Sequence, residues 1–462
     1  MLIRWTSVGR VIVAGAFAGL CLSAIAQTPK LKVRGTTQFI VGANLPWVNS
    51  AYGFDFGNNP LHPSWGIAYN SANVDSYFAD MKNMNINVVR VWIMESLEGM
   101  TFDSNGNPNG LESTYLSNLD DMMTRANKYN LSIYFMVFNG DDVGTAWGQT
   151  LPSGAVIQNF LNSSSGITDV INNCIKPIAS RYSGNSALFG FDLLNESNQG
   201  SDSGYYSWAN MRAFGQQAAT AIHSVASGAQ VTMSTDWLQA LDPANFAGSY
   251  GGLGFDLYDI HYYGDNPTLE NTSSMAADKP VLLGEYGPTT KTDAGQNTDC
   301  SAILSQTAGY GYAGSLAWAY EYPGASDGFE MINSNGSWRP ICDTIYDYVA
   351  ALSTFSGSAT VSPTSVNPGS AVTISASVTC NAARLSQGVY DLEIYNSSGT
   401  QVAQTYWTGI DYYKGGTTKE TWKYTVPSNL PAGTYHVSIG IFGTNWTPLQ
   451  FWVSSACTFT VK

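Results

Sequence analysis

An α/β fold, a (β/α)8 TIM barrel followed by a small all-β sandwich, is the architecture this 462-residue sequence predicts. Three observations carry that expectation. From 37 to about 350, short apolar runs alternate with amphipathic stretches, the mark of βαβ units feeding a parallel sheet. Eight such runs occur, which suits a barrel of about 250 residues plus insertions. From 361 onward the text turns Thr-, Ser- and Val-rich with period-two runs, as in an antiparallel sandwich of Ig-like size.

Residues 1–26 read as a signal peptide. Arg4 and Arg10 supply a positive start, Val11 to Leu22 an apolar run, and Ala24-Ile25-Ala26 a cleavage site. The apolar run is too short to span a bilayer. The barrel is expected over 27–353, with strands at Phe39–Asn44, Val88–Ile93, Ser132–Phe138, Phe189–Leu193, Gln230–Ser234, Tyr258–Tyr262, Val281–Gly284 and Ser315–Ala319. Amphipathic segments such as Val74–Met84, Tyr115–Tyr129, Thr168–Tyr182 and Tyr206–Ala226 lie between them. A doubly wound sheet often announces itself by a glycine-rich first turn, and Val41-Gly42-Ala43-Asn44 is not G-x-G-x-x-G. A polar linker is expected at 354–360 and the sandwich at 361–462, with strands at Val372–Val378, Gly388–Tyr395, Thr418–Val426 and Gly433–Ile441.

Composition narrows the chemistry. Charged residues are only 12%, aromatics are 13%, and the net charge is −14. A disordered chain would be poor in aromatics. Twenty Lys+Arg against 34 Asp+Glu leave little material for the basic face a nucleic-acid binder needs. Low charge with many aromatics instead fits an exported protein that handles neutral, polar ligands. Export permits disulfides. Cys380 could bridge Cys457, and Cys300 could bridge Cys342, with Cys174 left over. No H-E-x-x-H, clustered His/Cys set or Walker loop occurs, so neither metal nor cofactor is expected. Gly324-Ala-Ser326-Asp-Gly328 matches a serine-hydrolase elbow in letters but follows Pro323 rather than a strand. Asp103 to Thr114 begins like a calcium loop but lacks its Gly and Glu.

Catalytic groups of a parallel barrel sit at the C-terminal ends of its strands. The fourth strand ends in Asn195-Glu196 and the seventh in Glu285. Strands four and seven lie far apart around the ring, so their carboxyls can face each other across its mouth. Two facing carboxylates suit glycoside hydrolysis, one protonating the leaving oxygen and the other attacking the anomeric carbon. Arg90 on strand two needs a buried partner, either a nucleophilic carboxylate or a structural ion pair with Asp192 or Asp259. His261 and Tyr263, two apart at the end of strand six, share a face. Trp318 ends strand eight, where it either stacks on a sugar ring or packs in the core.

The ordered set Arg90, Asn195-Glu196, His261-x-Tyr263, Glu285 and Trp318 resembles the clan A glycoside hydrolases, most nearly family 5 (cellulases and mannanases), over residues 37 to 350. The resemblance implies a retaining double displacement with Glu196 as acid/base and Glu285 as nucleophile. Asn195 would bond the sugar 2-hydroxyl, and Tyr263 and Arg90 would hold Glu285. His261 would orient the acid/base or bind sugar, and Trp318 would floor the −1 subsite. Many members carry a His at the end of strand three. Here the text is Phe138-Asn139-Gly140-Asp141-Asp142, and Asn139 stands where that His would be. The loop from Trp47 and the stretch 140–157 with Trp147 are expected to border the cleft. Glu95, Glu98, Asp141, Asp142, Asp236 and Glu321 are rival carboxylates, expected to be solvated or to line subsites.

Among the sandwich aromatics, Trp407, Tyr412, Tyr413 and Trp446 fall near turns and are candidates for carbohydrate binding, whereas Trp422 reads as core. The resulting expectation is a secreted (extracellular or periplasmic) monomer. It would cleave a β-1,4-mannan or β-1,4-glucan with retention, engaging neither nucleic acid nor, once its signal is removed, a membrane. The alternatives are an exo-glycosidase or transglycosylase acting on oligosaccharides, and a catalytically silent polysaccharide binder.

Overall fold

The computed structural model describes residues 31–48, 52–320, 328–353, 355–381, 385–397, 399–413, 415–446 and 449–462. The expected signal peptide, Glu321 and the Ser326 motif lie outside the described residues.

Eight parallel strands form the barrel. They are β1 (Ile40–Leu45), β2 (Val88–Trp92), β3 (Ser132–Asn139), β4 (Leu188–Asn195), β5 (Gln230–Thr232, resumed at Ser234–Thr235), β6 (Tyr258–Tyr263), β7 (Val281–Gly287) and β8 (Gly314–Ala317). Each of the eight falls on the run that predicted it, because strands buried on both faces are written as nearly continuous apolar text. The ring closes through β5, whose two halves flank Met233. The first half pairs with β4 and the second with β6. β8 pairs with β1, so the order runs unbroken around the remaining strands.

Helices cover the ring from outside. Their starts show ordinary capping: Asn70 accepts from the Ala72 and Asn73 amides, Ser207 from Asn210, and Thr292 from Gly295. The expected helix at Thr168–Tyr182 is instead Ser164–Val170, a π-turn at Ile171–Ile175, and Lys176–Arg181. Inside the barrel, Ile40, Val88, Tyr134, Phe189, Leu282 and Leu316 form a layer with Leu31 and Val33 of the hairpin Leu31–Val33/Thr36–Gln38. That hairpin puts its apolar side on the N-terminal end of the barrel, so the opposite end is the one open to chemistry. Among the described residues no helix is long and apolar enough to cross a membrane.

The C-terminal strands are β9 (Phe355–Ser362), β10 (Ser365–Val366), β11 (Ala371–Cys380), β12 (Leu385–Tyr395), β13 (Gln401–Tyr412), β14 (Thr417–Thr425), β15 (Gly433–Phe442) and β16 (Leu449–Val461). They form a three-stranded sheet, β9-β11-β14, and a five-stranded sheet, β10-β16-β15-β12-β13. Residues from both, including Ile374, Val378, Leu392 and Ile439, share one core. The stretch 354–360, expected as a linker, lies almost wholly in β9, paired antiparallel from Phe355↔Cys380 to Ser362↔Thr373. Phe355, Gly357, Ala359 and Val361 turn toward the core while Ser356, Ser358 and Thr360 face out. Small residues on the inward side made an alternating edge strand look like polar spacer.

The 300–342 and 380–457 disulfides are not formed. Cys300 lies 3.3 Å from the Tyr286 hydroxyl and Cys342 donates to the Met331 carbonyl. Cys380 belongs to one sheet and Cys457 to the other. Tyr412, a candidate for ligand contact, is buried beside Phe355, and Trp407 packs edge-on against Tyr390. Tyr413 is exposed, and Trp446 lies on the exposed Tyr406 ring, with centroids 4.9 Å apart.

Candidate active site

At the C-terminal mouth of the barrel lies a cleft of about 680 Å³, lined among others by Asn139, Asn195, Glu196, His261, Tyr263, Glu285 and Trp318. Strand geometry brings these side chains together from β3, β4, β6, β7 and the end of β8. Glu196 follows β4 in a left-handed conformation (φ 43°, ψ 51°), which turns the chain from strand into the short helix Ser197–Asp202. Such backbone in a non-glycine residue costs about 1 kcal/mol or more and gathers at functional sites. Gly140 makes the turn beside it possible: a Cβ there would lie 2.8 Å from the Tyr206 hydroxyl and 3.1 Å from the Asn195 carbonyl.

Arg90 is fully buried beneath the cleft and organises its charge. Nη1 donates to Glu285 Oε1 at 2.5 Å and Asn44 Oδ1 at 2.9 Å. Nη2 donates to Asp192 Oδ2 at 2.7 Å and Asn195 Oδ1 at 2.6 Å. Both sequence alternatives for Arg90 are therefore realised, the carboxylate of Glu285 and an ion pair with Asp192. Burial opposes the guanidinium charge, but Glu285, Asp192 and Asp259 outweigh it and hold Arg90 charged. The planar fork suits two carboxylates at once, which a lysine point charge would not match.

Three groups converge on the buried Glu285 carboxyl. The Tyr263 hydroxyl donates to Oε2 at 2.6 Å, Arg90 bonds Oε1, and His261 Nδ1 lies 3.5 Å from Oε2. Burial pushes the Glu285 carboxyl above its usual range, while His261, Arg90 and the Tyr263 hydroxyl pull the other way. His261 Nδ1 also lies 3.0 Å from Glu196 Oε1. Burial works against charging the imidazole, but Glu285 and Glu196 prevail and lift it to about 9. That shift favours the protonated imidazole, which stands between Glu196 and Glu285. On its other side His261 Nε2 lies 3.9 Å from Asp259 Oδ1. Burial raises Asp259 to about 7 against the pull of His261 and Arg90. Gly284 makes room for it, since a Cβ there would fall 2.1 Å from Asp259 Oδ1. One carboxylate oxygen of Glu196 and one of Glu285 come within 4.8 Å of each other.

Trp318 belongs to an aromatic floor. Its ring lies 5.7 Å from Trp92 and 6.1 Å from Trp47. Trp47, half-buried against Trp92 and Trp318, donates its Nε1 to Glu95 Oε2 at 2.9 Å. Asn139 lines the cleft and donates to Asp142 Oδ2 at 2.9 Å. Of the rival carboxylates, Asp141, Asp142 and Asp236 line the cleft. Glu95 and Glu98 are buried rather than solvated, because the loop from 53 to 57 folds over them and donates backbone amides. Trp147 packs edge-on against Phe160, Tyr205 and Tyr206 instead of walling the cleft. Sequence reasoning missed Asn44 and Gln199. A polar letter inside the apolar run Ile40–Leu45 could have betrayed Asn44, whereas Gln199 sits in polar text that carries no signal.

A closed parallel barrel with glutamates from β4 and β7 facing across its mouth, tied to buried cations, is the frame of a carboxylate-pair glycoside hydrolase. The family profile described as Cellulase (glycosyl hydrolase family 5) matches residues 49–322, and the chain belongs to that family. It is 24% identical over 334 residues to a mannan endo-1,4-beta-mannosidase of Mytilus edulis, covering 63% of this chain and 85% of the relative. A second mannan endo-1,4-beta-mannosidase, from Cryptopygus antarcticus, is 24% identical over 337 residues, covering 63% and 82%. The crystal structure of the blue mussel β-mannanase superposes with a TM-score of 0.53 at 22% identity, covering 72% of this chain and 98% of that one. The barrel is thus a shared fold, and the chain is a glycoside hydrolase.

Proposed function

We propose that the chain is a secreted, retaining endo-β-1,4-glycanase acting on β-1,4-mannan. The observation that carries retention is that one carboxylate oxygen of Glu196 and one of Glu285 lie within 4.8 Å of each other. Retaining enzymes hold their carboxyls about 5–5.5 Å apart, whereas inverting ones leave about 6.5–9.5 Å for a water. Glu285 is the nucleophile, because Arg90 and Tyr263 fix both its oxygens and favour its ionised form. Glu196 is the acid/base, being the partner that faces the open cleft. In the first step Glu285 attacks the anomeric carbon while Glu196 gives its proton to the departing glycosidic oxygen. In the second, Glu196 takes a proton from water, which displaces Glu285. Asn195, fixed by Arg90, is placed to meet the 2-hydroxyl, and Trp318 to stack beneath the ring.

The mannan reading rests on the relatives' activity and on the family, with β-1,4-glucan as its rival. Reducing-sugar release from galactomannan, glucomannan, carboxymethyl-cellulose and xylan, with Glu285→Ala as control, tests it. Release from galactomannan and glucomannan but not from carboxymethyl-cellulose or xylan, abolished in the variant, is the expected result, and release from carboxymethyl-cellulose alone would overturn the substrate. Proton NMR of the first anomer formed from mannohexaose tests retention, and an initial α-anomer would refute it. Residues 27–353 are assigned to catalysis and 355–462, starting with β9, to an accessory module, with cleavage of the signal after Ala26. N-terminal sequencing of the exported protein checks that last assignment.

A further inference from the structure

Glu196 has to present one oxygen to the glycosidic bond in two successive steps, first giving a proton and then taking one. A glutamate with free rotamers would do this poorly, since ordering such a side chain costs about 1–2 kcal/mol. His261 takes Oε1, as described. The other oxygen is taken by a residue with no assigned part, because Gln199 Nε2 donates to Glu196 Oε2 at 2.6 Å. The same nitrogen lies 2.8 Å from Asp236 Oδ2. An amide nitrogen carries two hydrogens, and here one goes to each carboxylate.

Asp236 is itself fixed. Its Oδ1 accepts from Asn198 Nδ2 at 2.6 Å, and Asn198 Oδ1 accepts from the Thr235 hydroxyl at 2.8 Å. The Gln199 backbone amide donates to the Glu196 carbonyl at 2.8 Å, so the turn after the left-handed Glu196 folds Gln199 back over it. Gln199 and Asp236 both line the cleft. The amide stands between two acidic groups that would otherwise face each other in the same cavity.

We propose that Gln199, anchored by Asp236, is a positioning residue for the acid/base. This rests on reading Glu196 as that group. Gln199, on the short helix after β4 and anchored by Asp236 just past β5, holds Oε2 while His261 holds Oε1 from β6, so the carboxyl is clamped from two sides. Loss of the clamp harms only steps that need proton transfer through Glu196.

The test compares leaving groups. Galactomannan needs its departing oxygen protonated, whereas 2,4-dinitrophenyl β-mannobioside does not. For Gln199→Met, kcat/KM on galactomannan is expected to fall on the order of 10²-fold, part of what general acid catalysis contributes. On the dinitrophenyl substrate kcat/KM should fall less than about 3-fold, while kcat and KM fall together because the second step still needs the base. Asp236→Asn, which keeps the amide but loosens its anchor, should show the same split at smaller size, and serves if Gln199→Met does not fold. Equal losses on both substrates, or none on galactomannan, would overturn the proposal. Glu196→Ala is run beside them. Should it lack the leaving-group split, the assignment of Glu196 fails, which separates that failure from failure of the clamp.

Discussion

Replacing Arg90 by methionine removes the cation that bonds Glu285 directly and leaves Glu285 and Asp192 facing one another in a buried site. At an effective dielectric of about 20, a unit pair with charge centres about 4 Å apart interacts by about 4 kcal/mol. At about 1.4 kcal/mol per pH unit this is about 3 units as an upper bound. The His261 cation remains 3.5 Å from Glu285 Oε2 and shares the load, so a shift of about 1–3 units is expected. The nucleophile must be ionised, and Glu285 already titrates above the usual range. Activity is therefore lost as pH falls through that value. Arg90 lowers it, so removing Arg90 moves the acidic limb of kcat/KM upward.

Arg90→Lys keeps the charge but not the fork, and its limb should move by less than about 1 unit. Loss of one partner from a buried pair also destabilises by about 3–5 kcal/mol, which urea unfolding would read. The assay is initial rate against pH from 4 to 10 on one soluble substrate. An acidic limb that stays in place in Arg90→Met would refute the electrostatic role, whatever happens to kcat.

Three further outcomes are expected. Tyr263→Phe removes the 2.6 Å hydroxyl donor from Glu285 Oε2. A hydrogen bond to a charged group contributes about 1.5–3 kcal/mol, so kcat/KM should fall about 10- to 100-fold with the acidic limb moving up, and steady-state kinetics would show it. Gly284→Ala drives a methyl into Asp259 Oδ1, and overpacking of this kind costs about 1–3 kcal/mol, seen as a lower Tm in thermal unfolding. Asp391, buried between Glu393 and Gln404 in the sandwich, is raised to about 8, chiefly by burial and the Glu393 charge. Its folded-state value exceeds its unfolded one, so the native state holds an extra proton. That stabilisation is full below about pH 4 and is lost as pH rises toward 8. Asp391→Asn should flatten the fall of Tm across that window, and an unchanged slope would refute the shift.

The barrel was legible because its strands are buried on both faces, so Val88–Trp92 or Val281–Gly287 read as apolar runs regardless of their neighbours. The two glutamates were legible by their place after such runs. Less legible was anything set by two distant segments meeting. Residues 354–360 looked like spacer because only the opposing strand Ala371–Cys380 and the core show that Gly357 and Ala359 turn inward. Tyr412 and Trp407 looked like binding aromatics because nothing local says that Phe355 and Tyr390 lie against them. The cysteine pairings failed for the same reason, since a disulfide needs two thiols brought together in space, and here Cys300 lies beside the Tyr286 hydroxyl and Cys342 on the Met331 carbonyl.

Period and position, written one residue at a time, determined the α/β class, the eight strand sites, the following β-rich region and the candidacy of Glu196 and Glu285. Tertiary structure alone decided how the charges in the mouth are shared. Arg90 reaches Glu285 and Asp192 across separations of 195 and 102 residues, and His261 reaches Glu196 across 65. Gln199 splits its two hydrogens between Glu196 and Asp236. Hydrogen bonds and ion pairs depend on distance in space to within a few tenths of an ångström. Chain order encodes that distance only through the closed ring that brings the strand ends together.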